Sequence, residues 1–296
     1  MSKNKIIISI PAYNEEKTLG SVIDEIKKVM KGTNYNYEIL VLDDGSKDNT
    51  SVIAKKSGAI VVSHSVNRGL AQTFKDEMGE CLKRKADIIV HTDADGQYNP
   101  GRIPQMIKKV EEGYDLVLGS RFLGGRISHM PFSKRIGNIL FSRVLSSLTG
   151  VKITDSTTGF RAFSARIAKE IDLINTFTYT QEQIIRAARQ GFRITEIPVE
   201  TRKTRNSRLF KSPLQYAIKA WINIFRIYRD YEPLKFFGRI GVSFFFFGFV
   251  IGAWLVYRYF ALGHVGRFPS TVLSMLLMLI GVQIVLFGFL ADMMKR

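Results

Sequence analysis

The run Asp93-Ala94-Asp95-Gly96-Gln97 carries the side chains of this chain best suited to metal-assisted chemistry. It follows residues 87–92, an apolar stretch that predicts a buried strand. Two carboxylates two positions apart at a strand end leave the sheet together and can face one pocket. Hard oxygen ligands suit Mg²⁺ or Mn²⁺, and such an ion in turn suits a diphosphate. An Asp-rich turn with Gly96 at a positive φ is the alternative, and this run alone leaves both open.

Short apolar runs alternate with amphipathic segments over residues 1 to about 205. The predicted strands are 6–10, 38–42, 59–63 and 87–91, and the predicted helices are 18–30, 49–57 and 72–84. Strand and helix in alternation indicate an α/β fold, with a mostly parallel sheet and helices on both faces. Ligands of such sheets bind at the carboxyl ends of the strands. The segments 11–15, 43–45 and 93–95 should therefore line one crevice.

The bulk composition limits the class of protein. The chain has 296 residues, is 46% hydrophobic and carries a formal charge of +17, which fits one large α/β domain with an appendage. A single cysteine, Cys81, excludes an internal disulfide framework and fits a reducing compartment. The positive charge indicates either nucleic acid or an anionic membrane surface as a partner.

Two long uncharged stretches near the C-terminus favour the membrane. Residues 240–257 and 268–291 contain 18 and 24 residues without a charge, and a helix needs about 20 apolar residues to cross a bilayer. A pair of buried core helices is the weaker alternative, because Phe244–Phe247 and Leu276–Ile280 have no polar face. We expect a transmembrane hairpin, which could act as a bare anchor or pair with another protein or a second copy of the chain.

Basic residues set the predicted orientation of this hairpin. Those outside the connecting loop are Arg226, Arg229, Lys235, Arg239, Lys295 and Arg296, and the loop itself holds Arg258, His264 and Arg267. The positive-inside rule then places the N-terminal domain and the C-terminus on the cytoplasmic side. The predicted organisation is a catalytic domain over 1–205, basic amphipathic juxtamembrane helices over 206–239 and the hairpin over 240–296.

Six motifs in order resemble those of the inverting family-2 glycosyltransferases, which have the GT-A fold, and within them the dolichol-phosphate mannose synthase group. The six motifs are Ile10-Pro11-Ala12-Tyr13-Asn14-Glu15-Glu16, Asp43-Asp44-Gly45-Ser46-Lys47-Asp48, Asn67-Arg68-Gly69-Leu70, Asp93-Ala94-Asp95-Gly96-Gln97, Gly119-Ser120-Arg121-Phe122 and Ser156-Thr157-Thr158-Gly159-Phe160-Arg161. Any one motif would be weak, whereas six in order over residues 5–205 are specific. The hairpin after the domain is also similar to members of this group.

The resemblance implies roles for individual side chains. The residues expected to bind the nucleotide sugar are Pro11, Ala12, Tyr13, Glu15, Asp44, Asp93, Ala94, Asp95, Gln97, Arg202 and Arg205. Of these, Asp95 and Gln97 are expected to hold Mg²⁺ or Mn²⁺ with the diphosphate, while Asp43 supports the turn. Arg202, Lys203 and Arg205 are expected on a basic loop that closes over the diphosphate.

The expected acceptor is a dolichyl or other polyprenyl phosphate. Such a phosphate is already an anion and needs no general base, unlike a hydroxyl acceptor. It does need positive charge to hold it in line, and arginine suits phosphate through its bidentate fork. We expect Arg121 and Arg135 to bind the acceptor phosphate and, with Asp95, to form the catalytic set.

The predicted reaction moves a hexose or an N-acetylhexosamine, mannose first, in a pathway such as protein glycosylation. GDP-mannose, UDP-glucose and UDP-N-acetylglucosamine remain open as donors, because residues 179–182 depart from the mannose-transferring pattern. The first alternative is a glycolipid or polysaccharide glycosyltransferase with a hydroxyl acceptor and Asp155 or Glu182 as base. The second is a membrane scaffold that only binds nucleotide sugar. A nucleic-acid binder is disfavoured, since the basic residues cluster beside the spans.

Overall fold

The computed structural model describes residues 4–123, 130, 132–171, 179–202, 222, 225–226, 228–264 and 268–294. The chain divides into two compact units, Met1–Gln215 and Tyr216–Arg296. The first unit contains the sheet and the second contains the two long apolar helices.

Among the described residues, seven strands form one sheet in the order β3-β2-β1-β4-β6-β5-β7. Their bounds are β1 Lys5–Ala12, β2 Asn36–Asp43, β3 Ile60–Ser63, β4 Ile88–His91, β5 Leu116–Ser120, β6 Arg161–Ser164 and β7 Ile194–Pro198. Strand β6 runs antiparallel to both of its neighbours, and all other neighbouring pairs are parallel. The predicted α/β class with a mostly parallel sheet is therefore confirmed.

The helices of the first unit connect these strands. They are α1 Leu19–Lys31, α2 Thr50–Lys56, α3 Leu70–Lys83, α4 Ile103–Glu111, α5 Phe132–Thr149, α6 Ala165–Glu170 and α7 Tyr179–Arg189. Helix α3 begins two residues before the predicted start at Gln72. Gly69 explains the difference, because its φ of 85° makes the sharp turn from which the helix starts.

Apolar residues on both faces of the central strands form the core. Ile6, Ile8 and Ile10 of β1 are fully buried in a cluster that includes Leu19 and Ile23 of α1. Ile side chains favour extended backbone, and burial of each contributes roughly 1.5–3 kcal/mol. Strands that are covered on both faces have near-continuous apolar runs, as β1 does.

The sheet register brings three strand ends to one edge. Ala12 at the end of β1 pairs with Asp43 at the end of β2, and Ser9 pairs with His91 at the end of β4. The Asp44 N–H also donates to the Ala12 carbonyl at 2.8 Å. This edge, at the carboxyl ends of β1, β2 and β4, is called the crevice below.

The second unit is an antiparallel pair of helices, α8 Pro233–Leu262 and α9 Phe268–Met293. Both are long and apolar enough to cross a membrane, and only 17% of each apolar window is buried, unlike a core helix of a soluble protein. Glycines allow the two backbones to approach closely. A Cβ at Gly241 would lie 2.5 Å from the Gly281 carbonyl, and the Ser274 hydroxyl donates to the Gly248 carbonyl at 2.7 Å. The predicted juxtamembrane helices fall mostly outside the described residues, which omit 206–221.

Candidate active site

Hydrogen bonds fix the loop after β1 to the segment after β2. The Asn14 N–H donates to the Ser46 hydroxyl at 2.9 Å, and the Lys47 N–H donates to Asn14 Oδ1 at 2.8 Å. The Glu15 N–H donates to the Thr50 hydroxyl at 2.8 Å. Asn14 has a φ of 54°, a left-handed conformation that asparagine adopts more readily than most residues. The two segments therefore form one rigid wall of the crevice.

Four of the predicted nucleotide-binding residues lie on this wall. Pro11 and Ala12 are the buried last residues of β1 and bring the backbone to the edge of the sheet. Tyr13 follows them and is 38% exposed, so its ring is accessible to a nucleobase. Glu15 is partly buried at the start of the turn into α1. Their contact with a nucleotide stays a prediction.

Asp44, the predicted contact to the base or ribose, is largely occupied with holding another loop. Its Oδ1 accepts the Arg68 N–H at 2.8 Å and lies 2.7 Å from His64 Nδ1, and its Oδ2 accepts the Gly69 N–H at 2.9 Å. Asp43 accepts the Ser46 N–H at 3.0 Å, as expected of a residue that supports the turn. Asp44 thus positions the loop of the Asn67-Arg68-Gly69 motif beside the crevice.

The acidic run after β4 forms the opposite wall. Asp95 Oδ1 accepts the Gln97 N–H at 2.9 Å, and Gly96 has a φ of 72°, so the Asp-rich turn expected as the alternative is present. Asp95 Oδ2 has no hydrogen bond among the described residues, so the turn does not compete with ligand binding. The Gln97 carbonyl accepts the Arg202 N–H at 2.9 Å, which ties this turn to the segment after β7.

The donor set at this turn fits a Mg²⁺ or Mn²⁺ ion that is shared with a diphosphate. Within the described part of the chain, no group of three or more His, Cys, Asp or Glu side chains could hold a metal ion by itself. Mg²⁺ commonly takes one or two carboxylates and completes its shell with substrate phosphates and water. Asp95 Oδ2, with Asp93 nearby, meets that requirement. Gln97 contacts Asp95 through its backbone N–H, and the binding of a metal by its side chain stays a prediction.

Asp93 lies in the tightest part of the site. Burial raises the pKa of its carboxyl to about 6. The nearby Asp95 carboxylate adds to the rise in this pKa, whereas the guanidinium groups of Arg121 and Arg161 oppose it. The Cα of Gly159 packs directly against Asp93, because a Cβ there would lie 2.9 Å from each carboxylate oxygen. Asp93 and Arg121, distant in sequence, therefore act on each other in one site.

Arg121 does not present a free fork to this site. Its Nε donates to Asp155 Oδ2 at 2.6 Å, and its Nη2 donates to Asp155 Oδ1 and to the Thr157 hydroxyl, each at 2.8 Å. Asp155 is fully buried, and 12% of the Arg121 side chain is exposed. Arg121 Nη1 has no partner among the described residues. One edge of the guanidinium is thus fixed by Asp155 and Thr157, and the other edge has no partner within the part of the chain that the structure describes.

Arg135, the second predicted acceptor-binding residue, is exposed on the first turn of α5. Asn138 follows it by three positions, so the two side chains are neighbours on the helix surface. The Thr157 hydroxyl accepts a hydrogen bond from Arg121 Nη2 and donates one to Asn138 Oδ1 at 3.0 Å. Asn138 thus connects the helix of Arg135 to Arg121.

The predicted basic loop is described only at its start. Arg202 donates from Nη1 to both carboxylate oxygens of Glu25 at 2.8 Å, on the surface of α1. Both side chains are about half exposed, so this pair contributes little stability. Lys203 and Arg205 lie outside the described residues.

The two carboxylates considered as bases for a hydroxyl acceptor are both engaged. Asp155 forms the ion pair with Arg121 described above. Glu182 is buried in the first turn of α7 and accepts from Arg186 Nε at 2.8 Å. Neither is an isolated carboxylate that faces solvent in the crevice.

The sequence reasoning gave no role to Arg161, which is fully buried on β6. It donates to the Thr158 carbonyl, to the Gln183 side chain at 2.8 Å and to the Thr180 carbonyl at 3.3 Å. It therefore ties the residue before Gly159 to the start of α7. The available signal was that Arg161 is the one charged residue of its motif, Ser156–Arg161.

The fold is similar to that of solved GT-A enzymes. The structure of glucosyl-3-phosphoglycerate synthase from Mycobacterium tuberculosis with Mn²⁺, UDP-glucose and phosphoglyceric acid superposes with a TM-score of 0.58, at 23% identity over 75% of this chain and 79% of that one. At this identity the likeness establishes the fold alone. The seven-strand sheet with an acidic turn at its carboxyl edge is therefore a GT-A-like fold.

Sequence comparison gives the family. Residues 7–172 match Glycosyl transferase family 2, and residues 232–296 match the GtrB C-terminal hairpin. The chain belongs to glycosyltransferase family 2 and is a glycosyltransferase, as the six motifs predicted.

Three curated relatives are similar in sequence over about two thirds of this chain. An uncharacterized protein of Methanocaldococcus jannaschii is 39% identical, over 68% of this chain and 83% of its own length. A dolichyl-phosphate hexose transferase of Haloferax volcanii is 32% identical, over 67% and 83%. A UDP-N-acetylglucosamine–dolichyl-phosphate N-acetylglucosaminyltransferase of Methanococcus voltae is 31% identical, over 68% and 87%.

Proposed function

We propose that this protein transfers a hexose or an N-acetylhexosamine, mannose first, from a nucleotide diphosphate sugar to a dolichyl or other polyprenyl phosphate. The observation that carries the proposal is the pairing of Arg121 and of the two candidate bases. The two carboxylates that could serve a hydroxyl acceptor, Asp155 and Glu182, are both held in ion pairs with arginines. A cation with one available edge favours an anionic acceptor instead.

The proposed reaction needs no proton acceptor. An oxygen of the acceptor phosphate attacks the anomeric carbon of the sugar and forms a new carbon–oxygen bond. The bond from that carbon to the diphosphate breaks, and the nucleoside diphosphate leaves with the electron pair. In-line attack of this kind inverts the anomeric configuration. The chain's contribution is to hold the two phosphate groups in line and to exclude competing water.

The donor is proposed to bind along the crevice between the two walls described above. Tyr13 and Asp44 flank the nucleoside end, and Asp93 and Asp95 flank the diphosphate. A divalent ion, when bound at Asp95 and Gln97, supplies positive charge that stabilises the leaving diphosphate. Relatives named for dolichyl-phosphate hexose and N-acetylglucosamine transfer support this substrate class without choosing the sugar.

A lipid-linked acceptor agrees with a membrane hairpin after the catalytic domain. The two apolar helices and the match to a C-terminal hairpin support membrane attachment. From the basic residues that flank the helices we propose two spans, with the catalytic domain on the cytoplasmic face.

A transfer assay on the detergent-purified full chain tests the proposal. The assay supplies Mg²⁺ or Mn²⁺, an acceptor, and labelled GDP-mannose, UDP-glucose or UDP-N-acetylglucosamine in turn. The acceptor is dolichyl or undecaprenyl phosphate or, in parallel reactions, a lipid with a free hydroxyl group. The expected result is label in the organic phase from one donor, lost in Asp95→Ala. Label on a hydroxyl lipid but not on a polyprenyl phosphate would refute the proposed acceptor.

A further inference from the structure

We infer that Asp155, supported by Glu196, is a positioning residue that aims the available edge of Arg121 at the acceptor phosphate, and is not a catalytic base. This inference rests on the proposed function, because it assigns the acceptor phosphate to Arg121. It adds a role for two carboxylates that the six motifs leave without one.

The contacts between Arg121 and Asp155 fix the direction of the guanidinium. Two parallel bonds join Nε and Nη2 to the two carboxylate oxygens, and the Arg121 N–H donates to Asp155 Oδ2 at 3.1 Å. Side chain and backbone of Arg121 are thus held by one carboxylate. A bidentate pair of this geometry constrains orientation more strongly than a single bond. The edge that carries Nη1 is then directed away from Asp155.

Glu196 on β7 holds the peptide that carries Asp155. Its carboxylate accepts the Thr154 N–H at 2.9 Å, the Thr154 hydroxyl at 2.7 Å and the Asp155 N–H at 3.1 Å. The Thr154 carbonyl in turn accepts from Asn138 Nδ2 and from the Ser142 hydroxyl, each at 3.1 Å. The peptide is therefore held from β7 on one side and from α5 on the other.

These contacts argue against a role of Asp155 as a general base. A general base must reach the proton of its substrate and must be free to accept it. Asp155 is fully buried, and both of its oxygens already accept charged or polar donors. If Asp155 accepted a proton, it would lose its ion pair with Arg121. A buried cation without its partner is strongly unfavourable, so the pair is expected to persist through turnover.

The test is steady-state transfer to a short-chain polyprenyl phosphate by the full-length wild type and Asp155→Asn. Asparagine keeps the shape but removes the charge and one acceptor oxygen. We expect the acceptor KM to rise by at least about tenfold, because a fork that turns away from the phosphate loses a charge-assisted bond. The donor KM should stay within about twofold. Acceptor affinity, measured without donor by calorimetry, should fall in parallel.

A loss of kcat of about 10²–10⁴-fold with unchanged acceptor KM and affinity would instead identify a base and overturn the inference. The wild-type result judges the proposed function separately. If the wild type transfers to a hydroxyl lipid and not to the phosphate, the proposed function fails and this inference fails with it. If the wild type uses the phosphate, the proposed function holds. The role of Asp155 is then judged only from the ratios of KM, kcat and acceptor affinity between Asp155→Asn and the wild type.

Thr157→Val keeps the inference testable if Asp155→Asn does not fold. It removes the bonds of the Thr157 hydroxyl to Arg121 Nη2 and to Asn138 Oδ1, and it leaves the ion pair intact. We expect a rise of about threefold or more in the acceptor KM, with the donor KM unchanged. Thr149→Val is the matched control, because that hydroxyl bonds to the Leu145 carbonyl within α5 and not to Arg121. An acceptor KM in Thr157→Val equal to that of the control would overturn the inference.

Discussion

Gly159→Ala tests whether the position of the Asp93 carboxylate controls catalysis. A Cβ at Gly159 would lie 2.9 Å from both carboxylate oxygens, whereas ordinary contacts begin at 3.4 Å. The carboxylate must therefore move by about half an ångström from its place beside the turn proposed to bind the diphosphate. The φ of Gly159 lies outside the left-handed region, so alanine is compatible with the backbone.

The expected effect is on the rate and not on stability. A misplacement of about 1 Å can cost roughly 10²-fold, so we expect a loss of about 10-fold to 100-fold in kcat/KM for the donor. Alanine reduces the entropy of the unfolded chain by about 0.4–1 kcal/mol, which offsets part of the contact, so Tm should change little. Initial rates of transfer and Mn²⁺-dependent nucleotide binding measure the first effect, and thermal unfolding in detergent measures the second.

Gly79→Ala is the matched control for Gly159→Ala. Gly79 lies in α3 with nothing within 4 Å of an added Cβ, so alanine there should leave the rate unchanged and raise stability by about 1 kcal/mol. In an Asp93→Asn background, Gly159→Ala should cost little more, because both changes act on one carboxylate. Full activity of Gly159→Ala, or a loss that adds fully to that of Asp93→Asn, would refute the reasoning.

Three further predictions concern the metal, pH and the hairpin. Chelation of divalent ions should abolish transfer, and Asp95→Asn should raise the Mn²⁺ concentration for half-maximal rate by at least about tenfold; transfer in the presence of excess chelator would contradict this. Because burial raises the pKa of Asp93 from 3.8 to about 6, its contribution to folding is fully present below the unfolded pKa and is lost as pH rises through about 6. Metal-free wild type should therefore lose up to about 3 kcal/mol relative to Asp93→Asn between about pH 4 and pH 6 in denaturant titrations, and parallel pH profiles would exclude the effect. In the hairpin, an alanine Cβ at Gly281 would lie 2.6 Å from a backbone nitrogen of α8, so Gly281→Ala should lower stability by about 1–3 kcal/mol. Gly238→Ala should leave stability unchanged, because an added Cβ there meets nothing within 4 Å. Equal Tm values for these two variants would argue against the close approach of α8 and α9.

The features of this protein that could be predicted from its sequence are those that local sequence patterns determine. The apolar run of β1 and the spacing of α1 are periodic signals, and the polar residues that follow β1, β2 and β4 mark one edge of a parallel sheet. The crevice and its acidic turn follow from these signals. The two apolar helices follow from length and composition in the same way.

The partners of the charged residues could not be predicted, because they are distant in sequence. Arg121 and Asp155 are 34 positions apart, and Arg202 and Glu25 are 177 apart. The periodicity of a sequence predicts local elements, but it does not predict which distant side chains the fold brings together. The contact of Gly159 with Asp93 is of this kind too, since the two residues are 66 positions apart.

A site that joins an anionic acceptor to an anionic donor has to hold two negatively charged groups close together. Asp93 and Asp95 suit the donor only through a cation, whereas Arg121 can meet the acceptor directly. An arginine as buried as Arg121 also needs an anion when no acceptor is bound, since an unpaired buried charge is costly. Asp155 supplies that anion from the edge opposite Nη1, so the cation is stabilised without closing the edge that a phosphate would use. This arrangement explains how one carboxylate can sit beside a phosphate-binding residue and still favour an anionic acceptor over a neutral hydroxyl.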